Sequence, residues 1–161
     1  MISCSEQSPV APPAEQAVGI DKAQGNPGII PPNARVHGKT YAEWSAAWWQ
    51  WLWSAPIDVN PGLDETGEFV TWGQSGPVWF IAPNYGGVSE RWATIPPGKM
   101  LFVDILSWFF SPVIGDPEDE AALRAAAAAA VEASELVAFT VDGVPLQNPE
   151  AYRVQSDLFS F

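Results

Sequence analysis

Among 161 residues there is one cysteine, one histidine and only seven lysines and arginines, and each scarcity excludes some chemistry. The lone Cys4 allows no internal disulfide and no multi-cysteine zinc site. The lone His37 stands at the edge of a proline-rich segment and reads as a solvated residue rather than a general base. Seven basic against nineteen acidic residues leave a net charge of −12, which repels phosphate backbones and anionic lipid headgroups. Nucleic acid is therefore not an expected partner. Long apolar runs are also missing: the longest, Met100 to Phe110, is broken by Asp104 and Ser107, so no transmembrane segment is expected. Apolar and aromatic side chains are plentiful, at 47% and 12%, enough at this length to bury one core.

Before that core the composition is different. Cys4 follows Ile2-Ser3, which looks like the end of a bacterial lipoprotein signal, although the charged and apolar regions of such a signal are absent upstream. A lipid anchor at Cys4 and a secreted or cell-envelope location are the expectations it raises. Residues 5–38 carry Pro9, Pro12, Pro13, Pro27, Pro31 and Pro32 with few large apolar side chains, a composition that favours extended chain. The division expected is a tether over 1–38, with one docked stretch at Gly28-Ile29-Ile30, and a single globular domain over 39–161.

Thr40-Tyr41-Ala42-Glu43 is a capping box, and Pro56 disfavours helical geometry at Ala55, so a helix is predicted from Tyr41 to about Ser54. Trp44, Trp48, Trp51 and Leu52 share one face at i, i+4, i+7 and i+8, while Trp49 and Trp53 form an i, i+4 pair on its flank. Indoles at helical spacing with small residues between them are the pattern of buried packing, so most are read as core. Trp49 and Trp53 are kept as residues that could line a cleft.

Asp58, Asn60, Asp64 and Glu68 in the following acidic loop are hard oxygen ligands suited to calcium, without EF-hand spacing, and two ordinary turns explain the same residues. From Phe69 onward, short apolar runs alternate with turn signals. Strands are predicted at Phe69 to Trp72, Pro77 to Ala82, Val88 to Ile95 and Met100 to Leu106, with the second and fourth central. Asp116-Pro117-Glu118-Asp119 opens an alanine-rich helix, and Leu136 to Val141 and Tyr152 to Phe161 supply further strands around a turn at Asp142-Gly143. The fold class this predicts is mainly β with helices, an antiparallel β-sandwich or jelly-roll-like domain.

Residues 41–161 resemble a family of tryptophan-rich bacterial exported proteins with no known activity. The resemblance rests on Y-x-E-W-S-x-x-W-W-Q-W at 41–51, N-P-x-x-D-x-T-G at 60–67 and G-Q-S-G-P-V-W-F at 73–80. It continues through Gly86-Gly87 before Arg91, I-P-P-G-K at 95–99, V-D-G-V at 141–144 and Y-R-V-x-S at 152–156. It implies export and a β-rich fold. It also implies a disulfide lost from this chain, since members typically carry cysteines at the positions of Val70 and Ala93. Members continue beyond Phe161 with further strands, so an unpaired edge at 157–161, open to a second copy or another protein, is a further expectation.

No catalytic motif is evident, no cofactor is expected, and a non-enzyme is the preferred reading. Gly73-Gln74-Ser75-Gly76 lacks the spacing of a nucleophile elbow and reads as a hairpin turn. Asp104, in an apolar run, needs a partner or a shifted pKa, and an ion pair with Arg91 or Lys99 is its bland reading. Glu90 with Asp104, beside Arg91, is the alternative as a carboxylate-based hydrolase site. The leading expectation is a non-enzymatic exported module that binds carbohydrate or another exported protein through Trp72, Tyr85 and Trp92, with Trp49 and Trp53 in reserve. Self-assembly through an open sheet edge is the second.

Overall fold

Thr40 begins the first helix by the mechanism its sequence predicts. The Thr40 hydroxyl accepts from the Glu43 N–H at 3.2 Å, and the Glu43 carboxylate accepts from the Thr40 N–H at 2.7 Å. Helix α1 then runs over Tyr41–Ser54 and ends at Ala55, whose extended backbone precedes Pro56. The computed structural model describes Asn26 and residues 28–136 and 138–161. Cys4, with its anchor motif, and the tether up to residue 25 lie outside the described residues.

The segment before α1 is fastened to the domain. Tyr41 donates its hydroxyl to the Ile30 carbonyl at 2.8 Å, and the Trp44 indole donates to the Val36 carbonyl at 2.9 Å. Asn26 clasps the backbone of Gln147, donating to its carbonyl at 2.8 Å and accepting from its N–H at 2.6 Å.

Strands β1 (Val78–Ile81) and β2 (Met100–Val103) pair in parallel, Val78 opposite Met100 and Phe80 opposite Phe102. The link between them, residues 82–99, contains no helix. Phe80 and Phe102 pack edge to face at 6.0 Å, and Trp44 and Trp51 of α1 lie against Phe80. Trp48, Trp49, Trp51, Leu52 and Ala82 form the buried core, with Trp48 and Leu52 the most enclosed. Two of these indoles also satisfy backbone: Trp48 donates to the Ile81 carbonyl and Trp51 to the Trp72 carbonyl, both at 3.0 Å.

Helix α2 spans Glu120–Glu132 and buries only Leu123. Its cap is Asp119, which accepts from the Ala122 N–H at 2.9 Å, rather than Asp116 three residues earlier. Asp116 instead accepts the Ser111 N–H at 2.7 Å, closing the short 3-10 turn over Pro112–Ile114. A hairpin of β3 (Thr140–Val141) and β4 (Val144–Pro145) follows, turning at Asp142-Gly143 with both φ angles positive, 51° and 78°.

The predicted β-sandwich or jelly roll is not formed. The described residues hold two helices and two separate two-stranded sheets, one of them parallel. Phe69 to Trp72 is a run of turns, and Val88 to Ile95 has no regular secondary structure. Leu158 to Phe161 forms no strand: Phe159 packs on the core, and Gln50 donates to the Ser160 carbonyl at 2.8 Å. The cause is that an apolar run records burial, not pairing, and aromatic rings supply the burial here without a second sheet. β2 is not central either, since Met100, Leu101 and Val103 are exposed.

Candidate functional site

The carboxyl ends of β1 and β2 border two cavities. One, of about 250 Å³, is lined by Trp51, Asp64, Val70, Ile81, Arg91 and Ala93 among others. The second, of about 230 Å³, lies beside Val103, Asp104, Ile105, Leu136 and Phe139, and Arg91 lines it as well. Val70 and Ala93 both line the first of these cavities.

Arg91 is held by carbonyls. Its guanidinium donates to Pro61 at 3.1 Å, Asp64 at 3.3 Å and Ala82 at 2.7 Å, tying the acidic loop to the end of β1. No ion pair links it to Asp104, and Lys99 donates to the Gly76 carbonyl instead. Among the described residues Asp104 accepts one hydrogen bond, from the Ser107 hydroxyl at 2.6 Å. Burial raises its carboxyl above the ordinary value, against the opposing pull of Ser107. The expected ion pair is thereby corrected: the carboxylate has a hydroxyl partner, and the cation sits elsewhere in the cavity wall. Glu90 is exposed and does not line this cavity, so the two carboxylates expected of a hydrolase are not brought together there.

The acidic loop uses its oxygens internally. Asp64 accepts from the Thr66 N–H and hydroxyl, each at 2.8 Å, from the Gly67 N–H at 3.0 Å and from the Phe69 N–H at 2.8 Å. Burial would raise its carboxyl, but the amides of Phe69, Thr66 and Gly67 outweigh it and hold the group below its ordinary value. Asn60 is buried, donating to the Leu52 carbonyl and accepting from the Gly62 N–H. Asp58 and Glu68 point into solvent, and no cluster of three potential metal ligands is assembled among the described residues. Asn60 and Asp64 close turns.

The aromatic positions separate. Trp92 is 79% exposed and Tyr85 60% exposed, both on the link between β1 and β2. Tyr85 rests an edge on Gly62, where a Cβ would approach within 3.0 Å. Burial, and then the charge of Asp104, raise its phenol. Trp72 is half-buried against the core. Trp49 is buried and stacks on Trp53 at 6.0 Å and 11°, and Trp53 in turn stacks on Phe161 at 6.2 Å.

The two edges of the parallel pair differ. Met100 donates its N–H to the Pro77 carbonyl at 3.0 Å, which fixes the ladder so that Met100 and Phe102 face β1 while Leu101 and Val103 face outward. On the far side of β1, Gln74 covers Phe80: its amide accepts from the Phe80 N–H at 3.0 Å and donates to the Phe80 carbonyl at 2.8 Å. Nothing among the described residues does the same for β2, and Leu101 is 52% and Val103 39% exposed. Residue spacing carries no signal for this edge, because whether Leu101 and Val103 meet a partner depends on where distant segments fold. No family model, curated protein or solved structure matches the chain.

Proposed function

We propose that this protein is a non-enzymatic binding module of the secreted or envelope-associated class that takes up an extended segment of another protein on the free edge of β2. The observation that carries it is the contrast between Phe80, whose outward backbone groups Gln74 satisfies, and Leu101 and Val103, whose outward groups have no partner among the described residues. A free edge with exposed apolar side chains is a template for strand addition. A two-stranded sheet also gains from a third strand, because so few strands are marginal alone. The exported setting rests on the Cys4 motif and the family resemblance.

The test uses a heptapeptide of alternating valine and threonine as a probe strand. Hydrogen exchange at Leu101 and Val103 should slow when the peptide is added, and Leu101→Pro should abolish binding, because that substitution removes only an outward N–H. A peptide N-methylated at every residue, which can donate from neither edge, should not bind. Equal binding of the methylated and plain peptides would sink the proposal.

Carbohydrate binding is the second reading, favoured by the exposed rings of Tyr85 and Trp92 on one connecting segment. Soluble glucans and chitooligosaccharides should then quench Trp92 fluorescence, and Trp92→Ala should remove the effect. Unchanged emission across such a panel would dismiss it.

A further inference from the structure

We infer that the strand received at β2 is a cationic segment of another protein, whose lysine or arginine side chain enters the cavity beside Asp104. The inference rests on the strand-addition reading above and names the chemistry of the partner. Val103, Asp104 and Ile105 are consecutive and line the cavity of about 230 Å³ at the end of β2. A strand added along Leu101 and Val103 therefore delivers its next side chains to that cavity. Ile105, Leu136 and Phe139 offer apolar walls for an aliphatic stem, and Asp104 offers a carboxylate for a charged head.

The Asp104 carboxylate has acceptor capacity to spare. Ser107 bonds one oxygen, and among the described residues the other has no donor and no cation lies within 4.0 Å. A half-buried carboxylate with a single hydroxyl donor gains from a cation brought to it. Arg91, in the same wall, is committed to three carbonyls. The net charge of −12 adds a long-range field that draws a cationic segment in.

A second copy of this chain fits the edge less well. It brings a further net charge of −12. Two-fold antiparallel pairing must also set outward residues against outward residues, so Leu101 and Val103 meet odd-numbered positions of the other copy. Lys99 consequently cannot stand opposite Asp104 of that copy, and the carboxylate stays uncompensated.

The experiment titrates the full chain with three heptapeptides sharing an alternating valine–threonine centre and ending in lysine, serine or glutamate. The lysine peptide should bind about tenfold tighter than the serine peptide at low salt, with glutamate weakest. Asp104→Asn should bring lysine and serine peptides level, while Leu101→Pro should remove binding of all three. Equal affinity of lysine and serine peptides, or a lysine preference that survives Asp104→Asn, overturns the cationic partner and leaves strand addition standing. Failure of every peptide to bind overturns strand addition itself. A dimer in light scattering that the lysine peptide does not dissociate assigns the edge to a second copy and overturns the inference.

Discussion

The side-chain amide of Gln74 lies on the backbone of Phe80 as a neighbouring strand would, giving and receiving one hydrogen bond at 2.8 and 3.0 Å. The same amide also donates to the Val70 carbonyl at 3.1 Å. Gln74 thus covers the β1 edge at Phe80, while Leu101 and Val103 on the β2 edge have no such cover among the described residues.

Gln74→Leu should open that first edge. Phe80 would keep an unpaired N–H and carbonyl, at a cost of about 2 kcal/mol in denaturant unfolding. Light scattering should detect greater self-association than in the parent chain. An unchanged midpoint and mass would show that water replaces Gln74 without loss.

Trp48 and Trp79 should respond unequally to loss of the indole N–H. Trp48 donates to the Ile81 carbonyl, whereas the buried Trp79 indole nitrogen has no partner among the described residues. Trp48→Phe should cost about 1–2 kcal/mol more than Trp79→Phe, because only the former breaks a bond and orphans an acceptor. Thermal or urea unfolding of the two variants side by side decides it.

Acid should act on Asp64 and Asp104 with opposite sign. The Asp64 carboxyl is lowered in the folded chain, so the stability it contributes is present above its unfolded pKa and is lost as pH falls through the folded value. The Asp104 carboxyl is raised, so its contribution is present below the unfolded pKa and is lost as pH rises through the folded value. Asp64→Asn should weaken the fold at neutral pH by roughly 3 kcal/mol and flatten the acid limb. Asp104→Asn should stabilise it there. Unfolding curves from pH 3 to 7, roughly the span around ordinary carboxylate values, read both slopes.

Tyr41 should resist ionisation. Burial, followed by Tyr152, pushes its phenol up to about 12. Its contribution is full below the ordinary tyrosine value and is lost as pH climbs towards that raised one. Ultraviolet titration should show a late phenolate that Tyr41→Phe removes. The same variant should loosen the segment at Ile30, whose carbonyl loses its donor, visible as faster proteolysis before α1.

Val70→Cys with Ala93→Cys should form a disulfide if the family resemblance holds, since the resemblance implies one between these positions; both line the cavity of about 250 Å³. The closed loop predicts a gain of about 3 kcal/mol over the reduced form. This also tests the family resemblance, and free thiols persisting under oxidising conditions would count against it.

Some of this architecture is local and therefore written along the chain. The capping box that starts α1, Pro56 that stops it, and Asp142-Gly143 that turns the hairpin each act within a few residues. The helical spacing of Trp48, Trp51 and Leu52 likewise announces a buried face. Asp104 was also legible as an unusual carboxylate, because a charge in an apolar run must find a partner. Which partner it finds is a different matter. Ser107, three residues away, supplies the bond, while Arg91 is drawn to the carbonyls of Pro61, Asp64 and Ala82. Strand pairing is illegible for the same reason: Met100 to Val103 is apolar enough for a central strand, yet it pairs only with β1 and leaves Leu101 and Val103 exposed. Sequence periodicity by itself determined which local turns and helix faces form. The tertiary structure alone decided pairing, the choice of hydrogen-bond partners and the free edge, because those depend on contacts between residues distant along the chain.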